Sequence, residues 1–323
     1  MPSIDEFGLI ARLFAPLARG HAGAQGLQDD CATIDGPGGM DWAISTDALV
    51  AGVHFLPDDP PDLIARKLVR VNLSDLASSG ARPRFLLLSC CFPRAMTADW
   101  LEGFAAGLAA DCRGFGLALI GGDTVATPGP LTLAATALGE VPSGQALLRG
   151  HARPGDDVWV SGTIGDAAFG LEVALGQAPD QSDLLERYRL PRPRLELGVA
   201  LRGLAHACMD VSDGLVADLG QIAAASHLHA EIRAAEVPLS AAVRARLGGG
   251  GLERAVTGGD DYELLFTPPP ERREALAALG RRLDLRLTRI GRMMPAGDLR
   301  PPVRLLDGQG TALALRRPGY RHF

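Results

Sequence analysis

The apolar stretches of this 323-residue chain break, in six places, at aspartates set beside Gly, Ser, Thr or Asn. They are Asp29 and Asp30 in QDDCA, Asp47 in AISTD, Asp75 in VNLSDLA, Asp123 in GGDT, Asp210 and Asp213 in MDVSDGL, and Asp260 and Asp261 in GGDDYE. One such break alone is a turn or a cap, because Asp bonds its own backbone nearby and Gly supplies positive φ. Six of them ask for a fold in which strand ends meet. The Gly-Gly-Asp element occurs twice, and LALIGGDTVATPG reads as a strand that stops at Gly121 and Gly122 just before Asp123.

Between the breaks, strand and helix patterns alternate. Ile4, Phe7, Ile10, Leu13, Phe14 and Leu17 fall at helical spacing, which predicts an amphipathic helix over 4–17. MDWAIST alternates as a strand, and Pro60 and Pro61 open a helix that carries Leu63, Ile64, Lys67, Leu68, Val71 and Leu76 and ends at SSGARP. A strand at 84–92, a helix capped by Thr97, the strand ending at Gly121 and the strand GPLTLAATALGEV follow. The Pro- and Gly-rich RGHARPGDD at 149–157 marks a boundary between units 1–149 and 150–323. Beyond it lie DVWVSG, helices after Gly165 and from about Pro193, ACMDVSD feeding GLVADLGQIAAAS, the strand YELLFT and an ERREALAALGRRL helix. The prolines at 268–270 and the Arg-rich 272–292 region read as loop and solvated surface. The expectation is an α/β (α+β) chain of two domains, each long enough to bury a core.

Composition removes several function classes. A net charge of −6 without a basic run argues against a nucleic-acid surface, which needs clustered Lys and Arg. The apolar runs are too short to span a bilayer and no leader pattern opens the chain, so a cytoplasmic protein without membrane contact is expected. Five cysteines without a CxxC pair fit neither a disulfide framework nor structural zinc, and Cys90 and Cys91 read as packing residues. Lysine occurs once, at Lys67, within a helix and without a Gly-rich loop before it, so mechanisms built on a phosphate-loop or Schiff-base lysine are discarded.

The acids then carry the chemistry. Asp outnumbers Glu by 26 to 12, and the short Asp suits a hard-cation site assembled from turns and strand ends. Carboxylates gathered closely repel one another and would protonate, unless a cation joins them. A carboxylate set without His or Cys favours Mg²⁺, which usually bridges a few acids to substrate phosphates. Glycines beside the acids would let backbone amides approach those phosphates.

AISTDALVAGVHFLPD, VNLSDLASSGARP, LIGGDT, MDVSDGLVADL, GGDDYELLF and the closing GYRHF, in order from about residue 5 to the end, resemble the bacterial thiamine-monophosphate kinases of the aminoimidazole ribonucleotide synthetase superfamily. The resemblance implies a homodimer whose N-terminal sheets pair into a barrel, and ATP-dependent phosphorylation of thiamine monophosphate to thiamine diphosphate. It implies Mg²⁺ ligands at Asp30, Ser45, Thr46, Asp47, Asp75, Asp123, Asp210 and Asp213; of these, Asp75 and Asp123 are the first candidates for catalysis, because transfer between two phosphates depends on charge neutralisation. Gly121, Gly122, Arg149 and Ser212 would touch ATP, and His54, Asp260 and Tyr320 would hold thiamine monophosphate. The chain departs from the family pattern at Gln28, where Gly is frequent, and after GGDT, where VATPG lacks an Arg. Alternatives are a relative acting on another phosphate or carboxyl acceptor, a non-catalytic nucleotide-binding regulator, and a metal-dependent phosphohydrolase.

Overall fold

The structure, a computed structural model, describes residues 6–297 and 301–320. Helix α1 (Glu6–Leu9) widens to a π-turn over Ile10–Phe14 and tightens to a 3₁₀ turn over Ala15–Ala18. The regular helix expected over 4–17 is therefore three short pieces, since Pro16 has no N–H to continue the ladder; Ile4 lies outside the described residues. Phe7, Leu13, Phe14 and Leu17 remain exposed, so this apolar face has no cover among the described residues.

Residues 32–142 build a five-stranded sheet from β1 (Ala32–Asp35), β2 (Met40–Val50), β3 (Arg82–Pro93), β4 (Ala118–Thr127) and β5 (Thr132–Pro142), in the order β1-β2-β5-β3-β4. Neighbours are antiparallel except β3 and β4, which are parallel. Helix α2 (Pro61–Ser78) begins at Pro61 with Asp62 in its first turn and ends where Gly80 turns left-handed and Ala81 N–H bonds the Leu76 carbonyl at 2.8 Å. Helix α3 (Ala98–Phe115) is capped by Thr97, which accepts from Trp100 N–H at 3.2 Å, and it forms the crossover between the parallel strands. Ile64, Leu68, Val71, Leu73 and Leu76 of α2 are fully buried, each contributing about 1.5–3 kcal/mol.

Strand β4 does not stop at Gly121. It runs on to Thr127, and Gly121, Gly122 and Asp123 pair in register with Leu87, Leu88 and Ser89 of β3. Gly122 is required by backbone packing: a Cβ there would sit 1.8 Å from the Leu88 carbonyl oxygen, and its φ is 151°. The apolar run plus glycine signals an irregularity in the strand, a register shift between Leu86 and Leu87, rather than the strand's end.

The second sheet comprises β6 (Asp157–Ser161), β7 (Ala207–Asp210), β8 (His229–Arg233), β9 (Leu264–Thr267), β10 (Leu287–Met294) and β11 (Val303–Leu306), ordered β11-β8-β10-β6-β9-β7. Helices α4 (Asp166–Ala174), α5 (Ser182–Arg189), α6 (Leu195–Leu201), α7 (Leu215–Ala225), α8 (Ala241–Arg244), α9 (Gly251–Thr257) and α10 (Arg273–Arg282) accompany it. The Arg-rich 272–292 region, expected as loop and solvated surface, supplies α10 and most of β10, an interior strand whose Ile290 and Met293 are fully buried. Its arginines lie on the outer side, where Arg273 and Arg289 pair with Asp157. Cys90 is buried as a packing residue, while Cys91 is half-buried.

A core fills each half, and a third cluster lies between them, joining Ala77 of α2 to Leu197, Leu201, Cys208, Leu264 and Phe266. Helix α2 is thus packed against both sheets, with β2 and β5 on one side and α6 and β7 on the other. That position puts its polar residues at the joint.

Candidate active site

One stripe of α2 organises the site. Asn72, Ser74 and Ser78 of α2 are fully buried, an expensive placement unless each is hydrogen-bonded. Ser78 donates to Asp30 at 2.6 Å, Ser74 donates to Asp210 at 2.5 Å, and Ser45 of β2 donates to Asp75. Three serine hydroxyls therefore serve three carboxylates, one each. The Asn72 side-chain oxygen accepts from Asp47 N–H at 3.1 Å and its amide donates to the Leu68 carbonyl at 2.9 Å, which fixes the middle of β2 to the helix.

Asp30, Asp75 and Asp210 each place a carboxylate oxygen within 4.8 Å of the others. They arrive from the segment before β1, from α2 and from the last residue of β7, so both halves contribute. Burial, together with Asp30, pushes Asp210 up to about 8. Burial with Asp47, Asp210 and Asp30 holds Asp75 well above the usual carboxylate range. Asp47 is raised to about 6 by burial, Asp30 and Asp213, which places Asp47 and Asp213 within the same field. Burial and Asp30 raise Asp29 to about 7, although Asp29 accepts from the backbone N–H of Arg149 at 3.0 Å and of Asp30 at 3.1 Å. The Arg149 guanidinium pairs with Asp30, and Asp30 and Asp29 raise its pKa even though burial acts to lower it. Crowded oxygen donors, partly neutralised by protons, are the donor set of a hard divalent cation.

The MDVSDGL and GGDDYE segments lie side by side beyond the ends of β7 and β9. Asp260 N–H bonds the Ser212 carbonyl and Tyr262 N–H the Val211 carbonyl, both at 2.8 Å. Gly259 is needed for that approach, since a Cβ would stand 2.2 Å from the Ser212 oxygen. Each Gly-Gly-Asp element thus has a glycine that admits a neighbouring backbone, Gly122 beside Leu88 and Gly259 beside Ser212. Asp218, buried in α7, accepts from Asp213 N–H at 3.1 Å and Gly214 N–H at 3.0 Å and so shapes the Asp213 turn. Tyr320 N–H bonds the Asp213 carbonyl at 3.0 Å, bringing the C-terminal segment against the same turn; Arg321, His322 and Phe323 lie outside the described residues.

The paired acids at 260 and 261 divide their work. Asp261 is buried and accepts from Gly165 N–H at 2.6 Å and Ala167 N–H at 3.1 Å, holding the start of α4. Asp260 instead faces α2, where it accepts from Lys67 Nζ at 2.9 Å. The same ammonium donates to the His54 carbonyl at 2.9 Å, and His54 Nδ1 accepts from Val50 N–H at 3.0 Å. Lys67, set aside on sequence grounds, therefore links His54 and Asp260.

Two predicted ligands stand apart from this cluster. Thr46 is exposed and its hydroxyl donates to the Ala135 carbonyl at 3.0 Å, away from Ser45 and Asp47. Asp123 is exposed on β4, and the row from Asp47 across the sheet runs through Ala135 and Leu88 to Gly122. Three strand spacings therefore separate β2 from β4, about 14 Å. Sequence reasoning missed Lys67, Ser74, Ser78 and Asp218; the polar residues three and four apart within VNLSDLASS were the available signal for the two serines.

Comparison with known proteins places this geometry. Residues 28–141 match the AIR synthase related protein N-terminal domain, and residues 153–303 match the corresponding C-terminal domain. The thiamine-monophosphate kinase of Escherichia coli O157:H7 is 43% identical over 326 residues, covering 98% of each chain. The crystal structure of thiamine-monophosphate kinase from Stenotrophomonas maltophilia K279a is 40% identical, with a TM-score of 0.79 over 94% of this chain and 98% of that one. A structure of AaThiL complexed with AMPPCP and TMP superposes with a TM-score of 0.86 at 30% identity, over 99% of this chain and 97% of that one.

Proposed function

The chain belongs to the thiamine-monophosphate kinase family, within the AIR synthase related proteins, and we propose that it transfers the γ-phosphoryl group of ATP to thiamine monophosphate, giving thiamine diphosphate and ADP. The observation that carries the reading is the meeting of Asp30, Asp75 and Asp210 at the joint of the two halves, with the Lys67–Asp260–His54 link further along the same helix.

Asp30, Asp47, Asp75, Asp210 and Asp213, with Ser45, would hold Mg²⁺ ions. The donors fit: all are oxygens, gathered and mutually repelling. Bound there, the ions would neutralise the phosphates and favour in-line transfer. The acceptor phosphate is nearly a dianion at neutral pH, with a second pKa of about 6, so no general base is required of the protein. What the residues supply is position: Arg149 and Ser212 for ATP, joined by Gly121 and Gly122 of a second copy, which lie on β4 beside Asp123, and His54, Asp260 and Tyr320 for the acceptor. The functional units are residues 1–149 and 150–323, working in the cytoplasm. Among the described residues no helix is long and apolar enough to cross a membrane.

The working unit is a homodimer. Strand β1 covers β2 only as far as Ile44, and among the described residues no strand pairs with β2 beyond it on that side or with the outer edge of β4. Leu119, Ile120 and Val125 of β4 are exposed apolar residues on that edge. Pairing β4 of one copy with residues 45–50 of the other closes a barrel and carries Asp123 of the partner subunit to Asp47. Asp123 then enters the site across the two-fold, beside the backbone of Thr46 on the strand that carries Asp47.

The test is incubation with ATP, Mg²⁺ and thiamine monophosphate, against a control without the thiamine compound. Thiamine diphosphate forming one-for-one with ADP, and abolished by chelation, is the expected result. ATP binding without that product overturns the choice of acceptor, and phosphate release without an acceptor identifies a hydrolase.

A further inference from the structure

Lys67 is the sole lysine among 32 Lys and Arg residues, and it is buried, with 2% of its surface exposed. Its ammonium has three partners: the His54 carbonyl at 2.9 Å, Asp260 Oδ2 at 2.9 Å and the face of the Tyr188 ring, 4.1 Å from the centroid. A compact ammonium with three divergent donors meets that arrangement, whereas the planar guanidinium used everywhere else in the chain does not. Asp260 itself is held in a left-handed conformation, with φ of 71°, and Tyr262 two residues on has φ of 50°. Such backbone persists only where its surroundings fix it. Here the Ser212 and Val211 carbonyls fix the main chain and Lys67 fixes the carboxylate, whose Oδ1 lies 3.3 Å from the Tyr262 hydroxyl.

Lys67 also shares a stripe of α2 with Ser74 and Ser78, at spacings of seven and eleven residues. Ser74 is bonded to Asp210 of the acid cluster, and it lies about 10 Å along the helix from Lys67. One rigid helix therefore sets the separation between the place for phosphates and the place where Asp260 and the His54 turn come together. We infer that Lys67 is the positioning residue of the acceptor subsite, locking the His54 turn of the first half to Asp260 of the second so that the organic end of a phosphorylated, heteroaromatic acceptor is read at a fixed distance from the phosphates. This rests on the acceptor roles given above to His54 and Asp260. A carboxylate already paired with an ammonium acts on such a ligand as a hydrogen-bond acceptor for ring or amino N–H groups.

The experiment compares the wild-type chain with Lys67→Met, Lys67→Arg, Asp260→Asn and the double variant Lys67→Met/Asp260→Asn, with KM for thiamine monophosphate, KM for ATP and kcat measured for each. The expected result is a tenfold or greater rise in KM for thiamine monophosphate in both single Lys67 variants, with KM for ATP and kcat changed less than threefold. In the Asp260→Asn background the Lys67→Met change should raise that KM less than twofold further, because its route through Asp260 is already gone. If Lys67→Met does not fold, the charge-retaining Lys67→Arg and the double variant, which buries no unpaired carboxylate, give the same reading. An unchanged KM for thiamine monophosphate in an active Lys67 variant, an equal loss in both KM values, or full additivity with Asp260→Asn overturns the inference. A wild-type chain that makes no thiamine diphosphate is recognised before any variant is made, and it sinks the proposed function and this inference together.

Discussion

Mixing two inactive variants should restore activity. In one chain Asp123 lies three strands from Asp47, about 14 Å by sheet spacing, whereas a Mg²⁺ ligand must come within about 2.1 Å. Asp123 can therefore serve the site only from a second copy. In the proposed dimer, Asp75→Asn would remove a ligand from a chain's own cluster, and Asp123→Asn one from its partner's. Each homodimer should lose on the order of 10²–10³ in turnover, the scale seen when a charge-stabilising group is deleted. In a heterodimer both lesions fall in one site and the other site is intact. Random reassortment makes half the dimers mixed, so about a quarter of wild-type sites return. The assay is thiamine diphosphate formation after co-refolding equal amounts of the two variants, with differently tagged chains to count the heterodimers. Heterodimers present in the expected amount but no more active than their parents would refute the pairing of β4 with β2 and the trans role of Asp123.

Proton linkage gives a second check. Asp210 has a folded pKa near 8, above the ordinary carboxylate value, so it favours the folded state below pH 4 and that contribution is lost as pH rises through 8. Thermal denaturation of the cation-free protein should show a falling Tm between pH 6 and 8, with Mg²⁺ closing the gap. Calorimetry should show Mg²⁺ affinity rising about fifty-fold over the same interval, the cost at pH 6 of displacing one proton from a group with pKa 8; affinity independent of pH would contradict the crowded-carboxylate site. Ile120→Asp should leave a monomer with little activity, read by sedimentation at micromolar concentration, because it puts a charge into the exposed β4 edge proposed to pair with the second copy. Tyr320→Ala should raise KM for thiamine monophosphate several-fold at nearly constant kcat, and an unchanged KM would remove Tyr320 from the acceptor subsite.

Much of this was legible in the sequence because the acids announce themselves at the ends of apolar segments. Asp30, Asp47, Asp75 and Asp210 do share one electrostatic field, but only Asp210 ends a strand: Asp47 lies within β2, Asp75 within α2 and Asp30 before β1. The alternation of strands and helices likewise foretold two α/β sheets. What local pattern could not show is partnership across distance. Lys67 and Asp260 are separated by 193 residues, and nothing near either one names the other. Gly121–Asp123 resembles a strand end because glycine is written the same way whether it opens a turn or admits a neighbouring carbonyl. Asp260 and Asp261 are adjacent and chemically identical, yet one meets a lysine and the other caps a helix. The exposed face of α1 and the turns after it carries a helix's periodicity but lacks the cover that would hold it regular, so Pro16 decides the local geometry.

The burial of the chain's single lysine also gives the protein a built-in latch indicator. A protease that cuts only after lysine has one bond to attack, following Lys67, and in the closed molecule that bond lies in the middle of a packed helix. Appearance of fragments 1–67 and 68–323 would therefore time the local unfolding of α2, the helix that joins the two halves, without any label. Saturating acceptor and nucleotide should slow that clock, and their removal should let it run.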